Sequence, residues 1–196
     1  MRPDLDYIEH WISNGSHVLD LGCGDGSLLA LLRQRKQVTG YGMEIDTQNI
    51  LSCVRQGVDV IHQDLNEGLD DIDDQSFDTV IMTQSLQQTH KPDRIVEDML
   101  RIGKQAIVTF PNFGHWTVRS YLALHGRMPV SENLPYTWYD TPNIHFFTFR
   151  DFEVLCRERN IKILERTVVD RNHQANWKIS LMPNLMGEIA LYHITR

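Results

Sequence analysis

The stretch HVLDLGCGDGSLLALL, residues 17–32, limits what this chain can fold into more than any other. An apolar run suited to a buried strand ends in Gly22, Gly24 and Gly26, and an apolar helical pattern starts at once. A glycine-rich turn from strand into helix lets a ligand come close to the backbone and aims helix N-terminal N–H groups at it. The same glycines would also serve a turn that is merely tight. The dinucleotide fingerprint GxGxxG fails, because with Gly22 and Gly24 as its first glycines the third position holds Ser27. Asp20 and Asp25 flank the turn, and two carboxylates repel a pyrophosphate but suit a ligand carrying an ammonium. A zwitterionic amino-acid moiety therefore fits this loop better than a diphosphate.

Past the turn, strand-like and helical patterns alternate. Residues 38–44, 58–62, 77–83 and 105–110 read as strands, and residues 46–56 and 92–103 as helices. Such alternation predicts right-handed crossovers, a mostly parallel sheet and helices on both faces. After a helical pattern over 149–159, IKILERTVV (161–169) and GEIALYHIT (187–195) alternate like half-buried strands and predict an antiparallel edge hairpin. With 196 residues, 41% hydrophobic, the chain is long enough for a substantial core and is expected to form one domain over 1–196. Residues 112–145, rich in aromatics, Pro and Asn, form a variable segment within it. Their middle, 128–143, is the least regular part and the candidate lid or contact surface.

Two acids fall in register with the glycine turn. Glu44, at the end of the second strand in YGMEID, stands about twenty residues on, where an acid accepts hydrogen bonds from ribose hydroxyls. Asp64, after the third strand in HQDLNE, would accept from an adenine amino group or serve its own turn. Three such strand ends face one crevice at the carboxyl edge of the sheet. Amino acid, ribose and adenine together describe S-adenosylmethionine (SAM).

Composition narrows the partners. A net charge of -7 provides no field toward a phosphate backbone or an anionic membrane, so nucleic acid and membrane are not expected partners. Cys23, Cys53 and Cys156 are odd in number and lack a CxxC pair, which argues against a disulfide framework or structural zinc and fits a reducing cytoplasm. Cys23 reads as a small apolar filler within the loop. MRPDLDYIEHWI at the N-terminus is amphipathic and acidic, and no stretch approaches a membrane span, so a soluble, cytoplasmic protein is expected.

The motifs DLGCGDG, GMEID, QDL and SFDTVIMTQSLQ resemble those of class I SAM-dependent methyltransferases over roughly the first half of the chain. IGKQAIVTFPNFGHW, GRMPV, LPYTWYDTPNIH and PNLMGEIALY extend the likeness over nearly the whole length, to the MetW family of methionine biosynthesis. The resemblance implies a Rossmann-like class I methyltransferase fold with a mostly parallel seven-stranded sheet. It implies SAM or S-adenosylhomocysteine (SAH) as ligand and homoserine O-acyltransferase (MetX) as partner. By motif, Gly22, Gly24 and Gly26 would approach the methionine portion with Cys23 in the same loop, and Asp20 would help orient it. Glu44, with Ile45 beside it, would hold the ribose, Asp64 and Leu65 would line the adenine site, and Gln84 would lie near the transferable methyl.

Methyl transfer from a sulfonium needs in-line proximity and a desolvated pocket, with a base only when the acceptor must lose a proton. His115, Tyr136, Tyr139 and His145, all in the variable segment, would orient an acceptor or take its proton. PNF at 111–113 lacks the second proline of the NPPY motif of nucleic-acid amino-methyltransferases and follows the fifth strand rather than the fourth. Two readings follow. In one, the chain is a SAM-binding accessory subunit whose aromatic surface around Trp116, Tyr136, Trp138 and Tyr139 docks on the acyltransferase. In the other, it is a small-molecule methyltransferase of unknown acceptor, and the same segment is its lid.

Overall fold

A computed structural model of the chain describes residues 4–131, 135–169 and 182–196; residues 132–134 of the variable segment and 1–3 of the N-terminal stretch lie outside these. Helix α1 (Asp4–Trp11) precedes strand β1 (His17–Leu21), followed by α2 (Ser27–Lys36), β2 (Thr39–Glu44), α3 (Thr47–Arg55) and β3 (Val60–His62). Strand β4 (Phe77–Thr83), helix α4 (Pro92–Ile102) and strand β5 (Gly103–Pro111) continue the alternation. Helices α5 (Trp116–His125) and α6 (Phe149–Glu158), strand β6 (Lys162–Val169), the short α7 (Pro183–Met186) and strand β7 (Ile189–Thr195) complete it.

The seven strands form one sheet in the order β3-β2-β1-β4-β5-β7-β6. All pairings from β3 to β5 are parallel, and β7 runs antiparallel to both β5 and β6. The last two strands thus pair as expected, with β7 inserted beside β5 and β6 left as the edge. Strand order reverses between β1 and β4, which opens a crevice at their carboxyl ends, where ligands of doubly wound sheets bind.

Alternate residues along each central strand serve opposite faces. Leu19, Val80, Met82, Val108, Phe110 and Tyr192 join Val96 and Met99 of α4 and Phe152 of α6 in one core. Val18, Ile81, Ile107 and Leu191 pack with Ile8 and Trp11 of α1 and Leu29 and Leu32 of α2 in the other. Each fully buried aliphatic or aromatic side chain contributes about 1.5–3 kcal/mol relative to exposure, so both faces must be covered for the sheet to persist.

Local signals set the helix starts around the site. Asp46 accepts the N–H groups of Gln48 and Asn49 at 2.8 and 2.9 Å, which starts α3 directly after the loop following β2. Thr148 and Asp151 form a reciprocal capping box at the start of α6. Helix α5 occupies the front of the variable segment, and its only buried residue is Val118.

Candidate functional site

The glycine turn is held by its neighbours rather than by its own side chains. The N–H groups of Gly22 and Cys23 both donate to the Met43 carbonyl, at 2.8 and 3.0 Å, so the turn rests on the end of β2. Gly22 and Gly26 have φ of +70° and +82°. A Cβ on Gly22 would lie 3.0 Å from Ser85 Oγ, and one on Gly26 would lie 2.9 Å from Cys53 Sγ, so glycine is required at both for backbone and for space. Asp25 is exposed and accepts the Ser27 N–H at 3.0 Å, placing its charge at the start of α2.

Glu44 joins the turn to β2. Its Oε2 accepts the Gly24 N–H at 2.8 Å, and its Oε1 accepts the N–H groups of Ile45 and Asp46, each at 2.9 Å. The carboxylate stays buried because three backbone donors replace its water. Asp64 is used similarly: its Oδ1 accepts both the backbone N–H and the side-chain amide of Asn66, at 2.9 Å each. Gln84, after β4, has φ +54°, a conformation that costs a non-glycine residue about 1–2 kcal/mol. Its N–H donates to the Thr109 carbonyl at 2.8 Å, which fixes it there.

These strand ends enclose a cavity of about 600 Å³ at the carboxyl edge of the sheet. Of the residues singled out in the sequence, Gly22, Glu44, Ile45, Asp64, Leu65 and Gln84 line it. Asp20, Cys23, Gly24 and Gly26 are not part of its lining. Asp20 is buried in β1, and Gly24 touches the site through Glu44. Cys23 is tucked under the turn, its Sγ 3.8 Å from Cys53 Sγ, and a Cβ at Gly42 would overlap it. Burial, and after it the Asp20 carboxylate, push the Cys23 thiol up, so it packs as a neutral group.

The sequence reading missed Asp46, Asn49, Gln63, Asn66, Ser85, Gln88 and Thr89 in the lining. All follow the carboxyl ends of β2, β3 or β4, so taking the residues beyond each parallel strand would have found them. Glu44, Asp46 and Asp64 give the wall three carboxylates, and no Lys or Arg lines it among the described residues. Such a wall favours a cationic ligand over a phosphate-bearing one.

Of the four side chains considered for acceptor chemistry, Tyr136 lines the cavity, together with Pro142. His115 is buried at the start of α5 with its Nδ1 2.7 Å from Thr117 Oγ1. His145 lies in a separate, largely apolar cleft of about 430 Å³ with Leu86, Phe147, Phe152 and Leu155. Tyr139 is 74% exposed, and Trp138 and Trp116 are 75% and 48% exposed.

A family model described as methionine biosynthesis protein MetW matches residues 2–194. The chain is 36% identical over 200 residues to the bifunctional methionine biosynthesis protein MetXA/MetW of Rhodopirellula baltica, covering 97% of this chain and 32% of that one. It spans about a third of that relative. A ribosomal protein L11 methyltransferase of Burkholderia vietnamiensis is 36% identical over 81 residues, 41% of this chain and 27% of that one. Among solved structures, SAM-dependent methyltransferases from Archaeoglobus fulgidus and Mesorhizobium loti both superpose with TM-score 0.70 at 14% identity. The first pairing covers 100% of this chain and 92% of that one, the second 99% and 96%. At such identity the likeness establishes the fold, a Rossmann-like class I methyltransferase fold. The chain belongs to the MetW family of methionine biosynthesis proteins.

Proposed function

We propose that the cavity binds SAM or SAH, and that the chain is a single-domain, cytoplasmic accessory subunit of homoserine O-acyltransferase (MetX). The observation that carries the ligand is the wall itself: three carboxylates and no described Lys or Arg around about 600 Å³, with Gly22 giving backbone access at one end. These residues fit the group. The Glu44 carboxylate offers about four lone-pair sites and spends three on backbone N–H groups, which leaves one for a ribose hydroxyl. Asp64 keeps Oδ2, which has no hydrogen bond among the described residues, for an amino group of the base. Asp20, buried at the end of β1 before the turn, would favour the ammonium electrostatically, and Gln84, in the lining, would be the residue near the transferable methyl.

Bound SAM would supply an electrophilic methyl group. The chain's own residues are better arranged to hold the molecule than to activate an acceptor, since neither His115 nor His145 lines the cavity. The MetXA/MetW relative, with both names on one polypeptide, supports the acyltransferase as partner. Tyr136 in the wall is the feature that favours the second reading, a methyltransferase acting on a small molecule.

The test is homoserine acyl transfer by the cognate acyltransferase, with and without this protein and with and without SAM. Stimulation by the protein is the expected result. No stimulation, together with methyl turnover in the absence of the partner, replaces the accessory reading with the methyltransferase one.

A further inference from the structure

We propose that residues 136–146 are a two-sided strap whose inner side closes the SAM cavity and whose outer side meets the acyltransferase, so that ligand in the cavity alters affinity for that partner. This rests on the function proposed above and adds to it the docking surface and its control.

The outer side has the composition of an interface. Eleven of the eighteen exposed large hydrophobic residues in the described structure fall between Trp116 and Phe146. Over those residues only Arg119, Arg127, Glu132 and Asp140 are charged, where the chain average of 23% would give about seven. Aromatic enrichment with charge depletion marks the centre of a protein interface. Two basic side chains in a chain of net charge -7 do not draw an anionic membrane, and the fused MetXA/MetW relative names the occupant.

The inner side reaches the ligand by two routes. Tyr136 and Pro142 line the cavity directly, together with Glu44 and Gln84, while Trp138 and Tyr139, two and three residues on from Tyr136, face solvent. The second route is Gln87. Its carbonyl accepts the N–H groups of Ile144 and His145, at 2.9 and 3.0 Å, and its side-chain Nε2 donates to the Gln84 carbonyl at 2.7 Å. The far end of the strap is thus tied through one buried glutamine to a cavity residue held in the left-handed region. Gln87 Oε1 is buried without a hydrogen bond among the described residues, so the bracket is not saturated there and a shift of the strap can complete it. A ligand that moves Gln84 or Tyr136 moves the strap, and differential contact of this kind is what a coupling free energy requires.

The experiment measures acyltransferase affinity for the full chain with and without saturating SAH, in the wild type, in the double variant Trp138→Ala/Tyr139→Ala and in Gln87→Leu. Thermal melts confirm that each variant is folded. In the wild type, SAH is expected to change the partner Kd at least fivefold. The double variant is expected to weaken the partner about tenfold in both states while SAH binding holds. Gln87→Leu is expected to bind SAH and partner separately but to lose the shift. The proposal is overturned by a wild type that binds both but shows the same partner Kd with and without SAH. It is equally overturned by a double variant that binds the partner normally, including one that only breaks a homodimer. A wild type that binds no SAM or SAH, or no acyltransferase, overturns the proposal together with the function beneath it.

Discussion

The backbone N–H of Gly24 donates to the Glu44 carboxylate at 2.8 Å, so the acid that ends β2 also holds the glycine turn in place. Glu44→Gln therefore changes more than a ligand contact. If the amide oxygen keeps Ile45 and Asp46, the NH₂ group faces the Gly24 N–H, donor against donor. Hydrogen bonds to a charged group contribute about 1.5–3 kcal/mol each, so the variant should lose about 1–3 kcal/mol of stability. SAH binding should weaken tenfold or more. Urea unfolding and calorimetric titration, the latter at a temperature where the variant is folded, separate the two losses. Wild-type values for both would remove Glu44 from the site.

The three glycines of the turn are not equivalent. All have positive φ, but a Cβ on Gly24 meets nothing within 4 Å among the described residues, whereas Gly22 and Gly26 face Ser85 and Cys53. Gly24→Ala should cost only the left-handed conformation, about 1–2 kcal/mol. Gly22→Ala and Gly26→Ala should cost more, because Ser85 Oγ is tied to the Leu21 carbonyl at 3.2 Å and Cys53 is fully buried. Denaturation midpoints of the three variants give the order directly, and a Gly24 variant as unstable as the Gly26 one would contradict it.

The fold and the middle of the site were legible in the sequence because they rest on period and spacing. Alternating apolar runs predicted the succession of strands and helices and the mostly parallel sheet, and the distance from Gly24 to Glu44 follows from one helix and one strand intervening. What was hidden depends on contacts between distant residues. Helix α5 left no apolar stripe, since only Val118 is buried and the rest of WTVRSYLALH lies on the surface. The left-handed backbone at Gln84 had no glycine or asparagine to announce it; its N–H is held by Thr109, one strand away. Gln87 closes the SFDTVIMTQSLQ motif, but nothing in that motif announces that it connects the cavity to residues 144–145.

The cysteines should behave as packing groups. Burial raises the pKa of Cys23, Cys53 and Cys156, the last to about 12 with Glu153 contributing after it. The thiolate is the reactive form, so all three should resist Ellman's reagent at pH 7.5 and react together once the chain is unfolded. Three thiols titrated in denaturant without reductant would also show that Cys23 and Cys53, 3.8 Å apart, remain reduced. Rapid labelling of Cys23 in the folded protein would mean that the glycine turn opens.

His193 should make the sheet sensitive to mild acid. It lies in β7, 7% exposed, stacked 5.6 Å from Trp11, with Nε2 2.8 Å from Gln105 Oε1 and a buried Nδ1 that has no hydrogen-bond partner among the described residues. Burial lowers its pKa below the ordinary 6.5, and the Glu165 carboxylate only partly opposes this. The native state therefore binds fewer protons than the unfolded state once the pH falls through about 6.5, and stability must fall with it. Above that value both states are neutral at this site and it contributes no slope. One group sets a limit of about 1.4 kcal/mol per pH unit. Asp78 does not confuse the window: the His17 N–H and then Lys104 hold its pKa below 3.8, so its contribution is lost only in stronger acid. Urea unfolding at pH 7.5, 6.5 and 5.5 should show declining stability for the wild type and a flatter profile for His193→Gln. Equal slopes for the two chains would place the acid sensitivity elsewhere.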